Sequence, residues 1–192
     1  MGHNKPQVIV GQESLFQRVL YGINFIIGDI IVVTSGKESF PWLTGYSKPR
    51  VVTDIYPGSG PLGGIFTGLT VSKSLYNLVV ACDMPFLNQA LLSYMIDCAA
   101  GFDLVLPRLG DMVEPLHAVY SKGCSVSMEH LLKQGNLSVS RLSSWVRVRY
   151  VEMDEIDRFD PEHLSFFNIN TKADLEAARA LVRSRDIIND KC

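Results

Sequence analysis

The sequence has no long hydrophobic run. Its most apolar stretch, Ile23 to Val33, is broken by Gly28 and Asp29 and falls short of the roughly 20 residues that a membrane-crossing helix requires. No basic segment followed by an apolar one opens the chain, so no secretory leader is expected and the cytoplasm is the expected compartment. Charge of one sign is not concentrated anywhere: 18 Lys and Arg stand against 20 Asp and Glu, for a net charge of −2. That balance argues against a protein that coats nucleic acid. Cys82, Cys98, Cys124 and Cys192 form no CxxC, so neither a zinc knuckle nor a dithiol pair is expected, only reduced thiols. His3, His117, His130 and His163 are scattered without an HExxH, and GxSxG is absent. A catalytic zinc and a serine-hydrolase elbow are therefore not expected.

What the chain does have is an apolar content of 47% over 192 residues. A single domain over residues 1–192 can then bury roughly 70% of its unfolded surface. Short β-branched runs alternate with stretches of 3.6-residue periodicity, which is the pattern of βαβ units and predicts an α/β fold with a mostly parallel sheet. Strands are expected at Asp29 to Thr34, Arg50 to Asp54, Asn77 to Cys82, Asp103 to Pro107, Leu116 to Tyr120 and Val146 to Met153. The run ending at Cys82 is the most apolar and reads as central, and Pro107 should stop its strand. Helices are expected at Ser14 to Gly22, Leu62 to Val71, Leu87 to Ala100, Ser127 to Lys133 and Thr171 to Arg183, with a frayed tail from Ile187.

In open α/β sheets ligands bind beyond the carboxyl ends of the strands. Two carboxylates stand there, Asp54 after RVVT and Asp83 after NLVVAC. Each is either a turn or cap residue or an oxygen ligand for a magnesium ion carrying phosphates. Between them, PGSGPLGG spans Pro57 to Gly64 and opens a helix, a place that suits an anion. Its Gly58, Gly60 and Gly63 also satisfy GxGxxG, with Asp83 20 residues further on, the spacing of a dinucleotide fingerprint. Asp54 to Pro57 intervene between strand and first glycine, Pro61 stiffens the loop, and a β/α unit precedes it, all of which weigh against that reading. Lys5, Glu114, Asn168 and Asn170 carry weaker signals, since terminal lysines are usually solvated and Asn before a helix cap is ordinary turn chemistry.

Taken in order, MGHNK, VVTDIYPGSGPLGGIFTGL, VVACDMPFL, EPLHAVYSK and FFNINTKADLEAA resemble the molybdenum cofactor guanylyltransferases, over nearly the whole chain. These are nucleotidyltransferases of the glycosyltransferase-A-like fold, a three-layer Rossmann-like architecture of the nucleotide-diphospho-sugar transferase type. The resemblance implies transfer of GMP from GTP to molybdopterin with release of pyrophosphate and with Mg2+ as cofactor. It further implies that Lys5 and Asp83 are catalytic, that Asp83 holds metal and nucleotide, that Lys5 binds the nucleotide and neutralises phosphate charge, and that Asp54 and Gly60 contact the nucleotide. Glu114, Asn168 and Asn170 fall to the pterin side, and a molybdoenzyme or its chaperone becomes an expected partner.

Two departures qualify the likeness. The family opens with a strand and a loop of the form LAGGxSxRMGxxK, and this sequence starts at the Met-Gly within it. An N-terminally truncated sheet is therefore expected, with the neighbours of a missing central strand left with open backbone edges. An upstream start, a fragment and a loss of catalysis all remain open as its cause. The second departure is Gly36, which stands where the family usually offers an Asn to the nucleotide. A cytidylyltransferase of the same fold is the alternative enzyme, and a non-catalytic cofactor-binding protein the alternative of another class.

Overall fold

The computed structural model describes residues 5–25, 28–36 and 49–189. A short hairpin, β1 (Ile9–Val10) and β2 (Glu13–Ser14), leads into α1 (Leu15–Ile23). Ser14 starts that helix because its hydroxyl accepts from the Gln17 N–H at 3.2 Å while the Gln17 side chain accepts from the Ser14 N–H at 2.8 Å, a reciprocal capping box. β3 (Ile31–Thr34) and β4 (Arg50–Thr53) pair in parallel, from Ile31 opposite Arg50 to Thr34 opposite Thr53. α2 (Gly60–Val71) then crosses to β5 (Tyr76–Val80), and α3 (Gln89–Asp97) follows, capped by Asn88. The remainder is β6 (Leu104–Leu109), β7 (Met112–Val113), β8 (His117–Ser121), α4 (Cys124–Lys133), α5 (Val139–Leu142), β9 (Val148–Glu152), α6 (Met153–Ile156) and α7 (Lys172–Asn189). The last helix begins with Thr171 and Asp174 bonded to each other's backbone N–H, and it runs six residues past the expected Arg183. The tail expected to fray is helical through Asn189, and residues 190–192 lie outside the described set.

The fold is three-layered α/β. α2 and α4 cover one face, where Leu62, Leu69, Met128 and Leu131 pack on Leu104 and Tyr120. α3 and α6 cover the other, where Leu91, Met95 and Ile156 pack on Val105 and Val119. The sheet is mixed rather than mostly parallel among the described residues. Its strands run β5-β8-β6-β7 with β9 also on β6, and only β6–β9 in this sheet and β3–β4 are parallel pairs. β8 causes the difference, because it returns antiparallel between β5 and β6 after the β6–β7 hairpin.

Two expectations need correction. Pro107 does not end its strand; β6 continues to Leu109 with Pro107 opposite Val151. Leu104 N–H bonds toward β9 and Ser121 N–H reaches the Asp103 carbonyl, so by alternation the backbone of residue 107 faces away from β9. The β8 pairing has already ended there at Val105, and the proline's missing donor costs nothing. The second correction concerns the strand expected at the centre. As β5 it is an end strand, paired with β8 alone among the described residues, and all five of its residues are only half-buried.

His117 is fully buried on β8 against the Phe166 ring, and neither ring nitrogen has a hydrogen-bond partner. Burial pushes its pKa down from 6.5 to about 4. The unfolded chain therefore binds a proton that the folded chain refuses, so this contribution to stability is complete above pH 6.5 and is lost as pH falls toward 4. The loss is on the order of 3 kcal/mol. His117→Phe should flatten that part of the stability-against-pH curve, measured by urea denaturation between pH 4 and 7.5; parallel curves for the two proteins would refute the assignment.

Candidate active site

The carboxylate after β4 turns inward. Asp54 Oδ1 accepts from the Tyr56 N–H at 3.0 Å and from the Thr67 hydroxyl at 2.9 Å, while Thr67 Oγ1 accepts from the Ile55 N–H at 3.0 Å. This is the turn chemistry that was one of the two readings of Asp54. Thr67 is completely buried in α2 and is the residue that the sequence reading missed; a lone hydroxyl on the apolar face of GPLGGIFTGL was its only signal.

The glycines of the loop divide by purpose. Gly58 (φ +84°) and Gly60 (φ +58°) sit in the left-handed region, with open space where a Cβ would be. They serve the turn and leave the start of α2 uncovered. Gly63 instead serves packing, because a Cβ there would lie 2.9 Å from the Tyr56 carbonyl and 3.2 Å from Asp54 Oδ2. Gly36 also has positive φ (+85°), and its N–H reaches the Thr34 hydroxyl at 3.2 Å. Gly36 thus sits in a left-handed turn at the position of the family's usual Asn.

Beyond β5 the chain gathers three of the expected residues. The Asp83 carbonyl accepts from the Ile169 N–H at 3.0 Å, tying the FNIN segment to the strand mouth. Asn168 and Glu114 are hydrogen-bonded through their side chains, and Glu114 Oε1 also accepts from the Leu116 N–H at 3.1 Å. Burial raises the Glu114 pKa above the ordinary carboxylate range, and the Asp83 charge pushes it the same way against the two hydrogen bonds. The Tyr120 hydroxyl donates to the Pro115 carbonyl at 2.8 Å and holds the turn that presents Glu114. Asn170 is exposed, with its N–H on the Asp174 carboxylate at 2.9 Å. The side chain of Lys5 lies outside the described residues.

Chemically, the mouth of β5 carries two interacting carboxylates and an amide, and the open start of α2 follows the separate strand β4. One or two carboxylates completed by water and phosphate oxygens are the ordinary protein contribution to a magnesium site, and no group of three or more His, Cys, Asp or Glu forms a full protein cage among the described residues. Residues 1–152 match the MobA-like NTP transferase domain. The chain belongs to this family. As a MobA-like NTP transferase it is 36% identical to a probable molybdenum cofactor guanylyltransferase of Pelotomaculum thermopropionicum, over 96% of this chain and 88% of that one. It is 31% identical to the molybdenum cofactor guanylyltransferase of Desulfosudis oleivorans, over 95% and 89%. Among solved structures, molybdopterin-guanine dinucleotide biosynthesis protein A from Archaeoglobus fulgidus superposes with a TM-score of 0.78 at 25% identity, covering 95% of this chain and 92% of that one. A 2-C-methyl-D-erythritol 4-phosphate cytidylyltransferase from Thermus thermophilus shares the fold, with a TM-score of 0.73 at 16% identity and 95% of each chain covered.

Removing the Thr67 hydroxyl should loosen the loop between β4 and α2. Thr67→Val is expected to cost about 1–3 kcal/mol in urea denaturation, because the half-buried Asp54 carboxylate loses one of its two hydrogen bonds and the Ile55 N–H loses its partner, whereas Thr67→Ser should recover most of it. Equal midpoints for the two variants would show that the hydroxyl is not what holds the loop.

Proposed function

We propose that this MobA-like NTP transferase moves GMP from GTP onto the terminal phosphate of molybdopterin, releasing pyrophosphate, in maturation of the molybdenum cofactor. The observation that carries this reading is the meeting of Asp83, Glu114 and Asn168 at the mouth of β5. The attacking oxygen belongs to the pterin phosphate, the P–O bond to the α-phosphorus forms, and the bond to pyrophosphate breaks in line. Such a displacement asks the protein mainly for positioning and charge neutralisation.

In this reading Asp83 holds Mg2+ and the nucleotide, with Glu114 beside it, and the ion supplies neutralising charge for the triphosphate. The uncovered start of α2 at Gly60 offers backbone N–H groups to phosphate oxygens, and Lys5 adds a positive charge. Asp54 acts on the nucleotide side through the loop that it braces. Asn168 and Asn170, on the segment tied to Asp83, face the pterin substrate together with Glu114. The cytoplasm fits a reaction between two soluble substrates. CTP is the competing nucleotide, because Gly36 offers no side chain where a base-selecting Asn is usual.

Calorimetric titration with GTP and with CTP, each with and without Mg2+, tests both statements. Magnesium-dependent binding that favours GTP is the expected result, and preference for CTP would move the protein to the cytidylyltransferases. Asp83→Asn should abolish the magnesium-dependent part while leaving the circular dichroism and melting curve of the wild type; unchanged binding would remove Asp83 from the metal site. Since the raised pKa of Glu114 means that it protonates sooner than an ordinary carboxylate on acidification, magnesium affinity should fall as pH drops through the carboxylate range. Glu114→Gln should shift that fall to lower pH.

A further inference from the structure

The segment that carries Asn168 is fastened to the sheet at a second point besides the Ile169 tie. His117 stands opposite Val80, the last residue of β5, and its N–H donates to the Glu114 carbonyl at 3.2 Å, so the start of β8 and the turn presenting Glu114 form one piece. The buried His117 ring meets the Phe166 ring at 4.8 Å between centroids, tilted by 49°. Neither ring nitrogen has a hydrogen-bond partner among the described residues. What the ring supplies is therefore its flat shape, which backs Phe166.

Phe166 is itself held from its other side. It ends a short 3-10 helix over Leu164–Phe166, where the Asp160 carboxylate accepts from the Leu164 and Ser165 N–H groups at 3.2 and 2.7 Å. The Ser165 hydroxyl accepts from the Asn88 N–H at 2.9 Å and donates to the Phe86 carbonyl at 3.4 Å. From Phe167 the chain is extended, and its side chains alternate. Phe167 and Ile169 pack with Val10 and Leu15, whereas Phe166 packs with the α3 core and Asn168 bonds to Glu114. Two same-side residues of this segment thus meet two points of the chain entering β8.

We infer that His117 is a positioning residue, whose ring, seated against Phe166, fixes the FNIN segment so that the Asn168 amide falls on Glu114. One backbone hydrogen bond at Ile169 would let the segment pivot about it. The ring contact removes that freedom, because the segment can then turn or slide only by losing the stack. Its bearing on catalysis rests on the proposed function, in which Asn168 and Glu114 face the pterin substrate. A residue of this kind governs how well the second substrate is held, and leaves GTP binding and the displacement at phosphorus alone.

His117→Ala and Phe166→Ala each remove one ring of the stack, from its buried and its half-buried side, and His117→Phe keeps a ring while discarding both nitrogens. In isotope-labelled protein without substrates, both alanine variants should move the Asn168 side-chain amide resonances to the position they take in Glu114→Ala. They should also speed exchange of the Ile169 amide by about tenfold relative to the Val105 amide. His117→Phe should restore both signals. With GTP saturating, the alanine variants should raise KM for molybdopterin by about tenfold, while kcat and GTP affinity stay within about twofold of the wild type. An ordinary core role would instead lower the melting temperature and leave the Asn168 resonances and KM in place, and that outcome would overturn the inference. So would a His117→Phe protein that behaves like His117→Ala, which would assign the effect to the nitrogens. Should the wild type transfer no GMP, the proposed function fails, and the Asn168 and Ile169 signals still decide for or against His117.

Discussion

One backbone hydrogen bond organises the functional end of the molecule: the Ile169 N–H on the Asp83 carbonyl. It fastens the segment before α7 to the turn after β5, although 85 residues lie between them. Its neighbours reinforce it in apolar terms, since Ile169 is fully buried with Val10, Leu15 and Ala178, and Phe86 and Phe167 meet edge to face. Because Ile169 is locked inward, Asn168 and Asn170 emerge on the other side of an extended chain, and Asn168 arrives on Glu114. The site is thus assembled by a core residue that has no chemistry of its own.

Much of this could be read from the residues. The helix starts expected at Ser14 and Thr171 lie within a residue of the observed ones, where side-chain oxygens of both residues take up free backbone donors. Asp54 and Asp83 were legible as acids after apolar runs, but not their division of labour. Local sequence cannot reveal that the Thr67 hydroxyl, thirteen residues away, occupies Asp54. Pro107 misled for a related reason. A proline is forbidden from a strand only where its N–H would have been needed, and that depends on where the β8 pairing stops. The centrality of the most apolar strand failed likewise, since burial is set by both neighbours and β5 has one.

This last point separates the molecule into unequal halves. β8 is buried at every residue and β6 through Pro107, between helices on both faces, whereas β3 and β5 are half-buried throughout except at Thr34. Stability is distributed accordingly, with the cooperative core around β6 and β8 and the lowest local opening energies expected in β3 and β5. The mouth that carries Asp83 sits at the end of the weaker strand. Its geometry is therefore held less by the sheet below it than by Met84 and Pro85, both buried, and by the tie to Ile169.

Electrostatics at that mouth follow from the same arrangement. Glu114 is half-buried beside a second carboxylate, and the hydrogen bonds from Leu116 and Asn168 do not offset the cost of its charge, so its pKa stays raised. Two acids held this way are unfavourable for the protein alone and favourable for a cation, because a positive charge reverses the sign of the Asp83 contribution and compensates the burial of Glu114 together. Asn168 gains from the same change, since its donated hydrogen bond is stronger to an ionised carboxylate than to a neutral one. Through Glu114, the charge at this mouth and the position of the FNIN segment act on the same side chain.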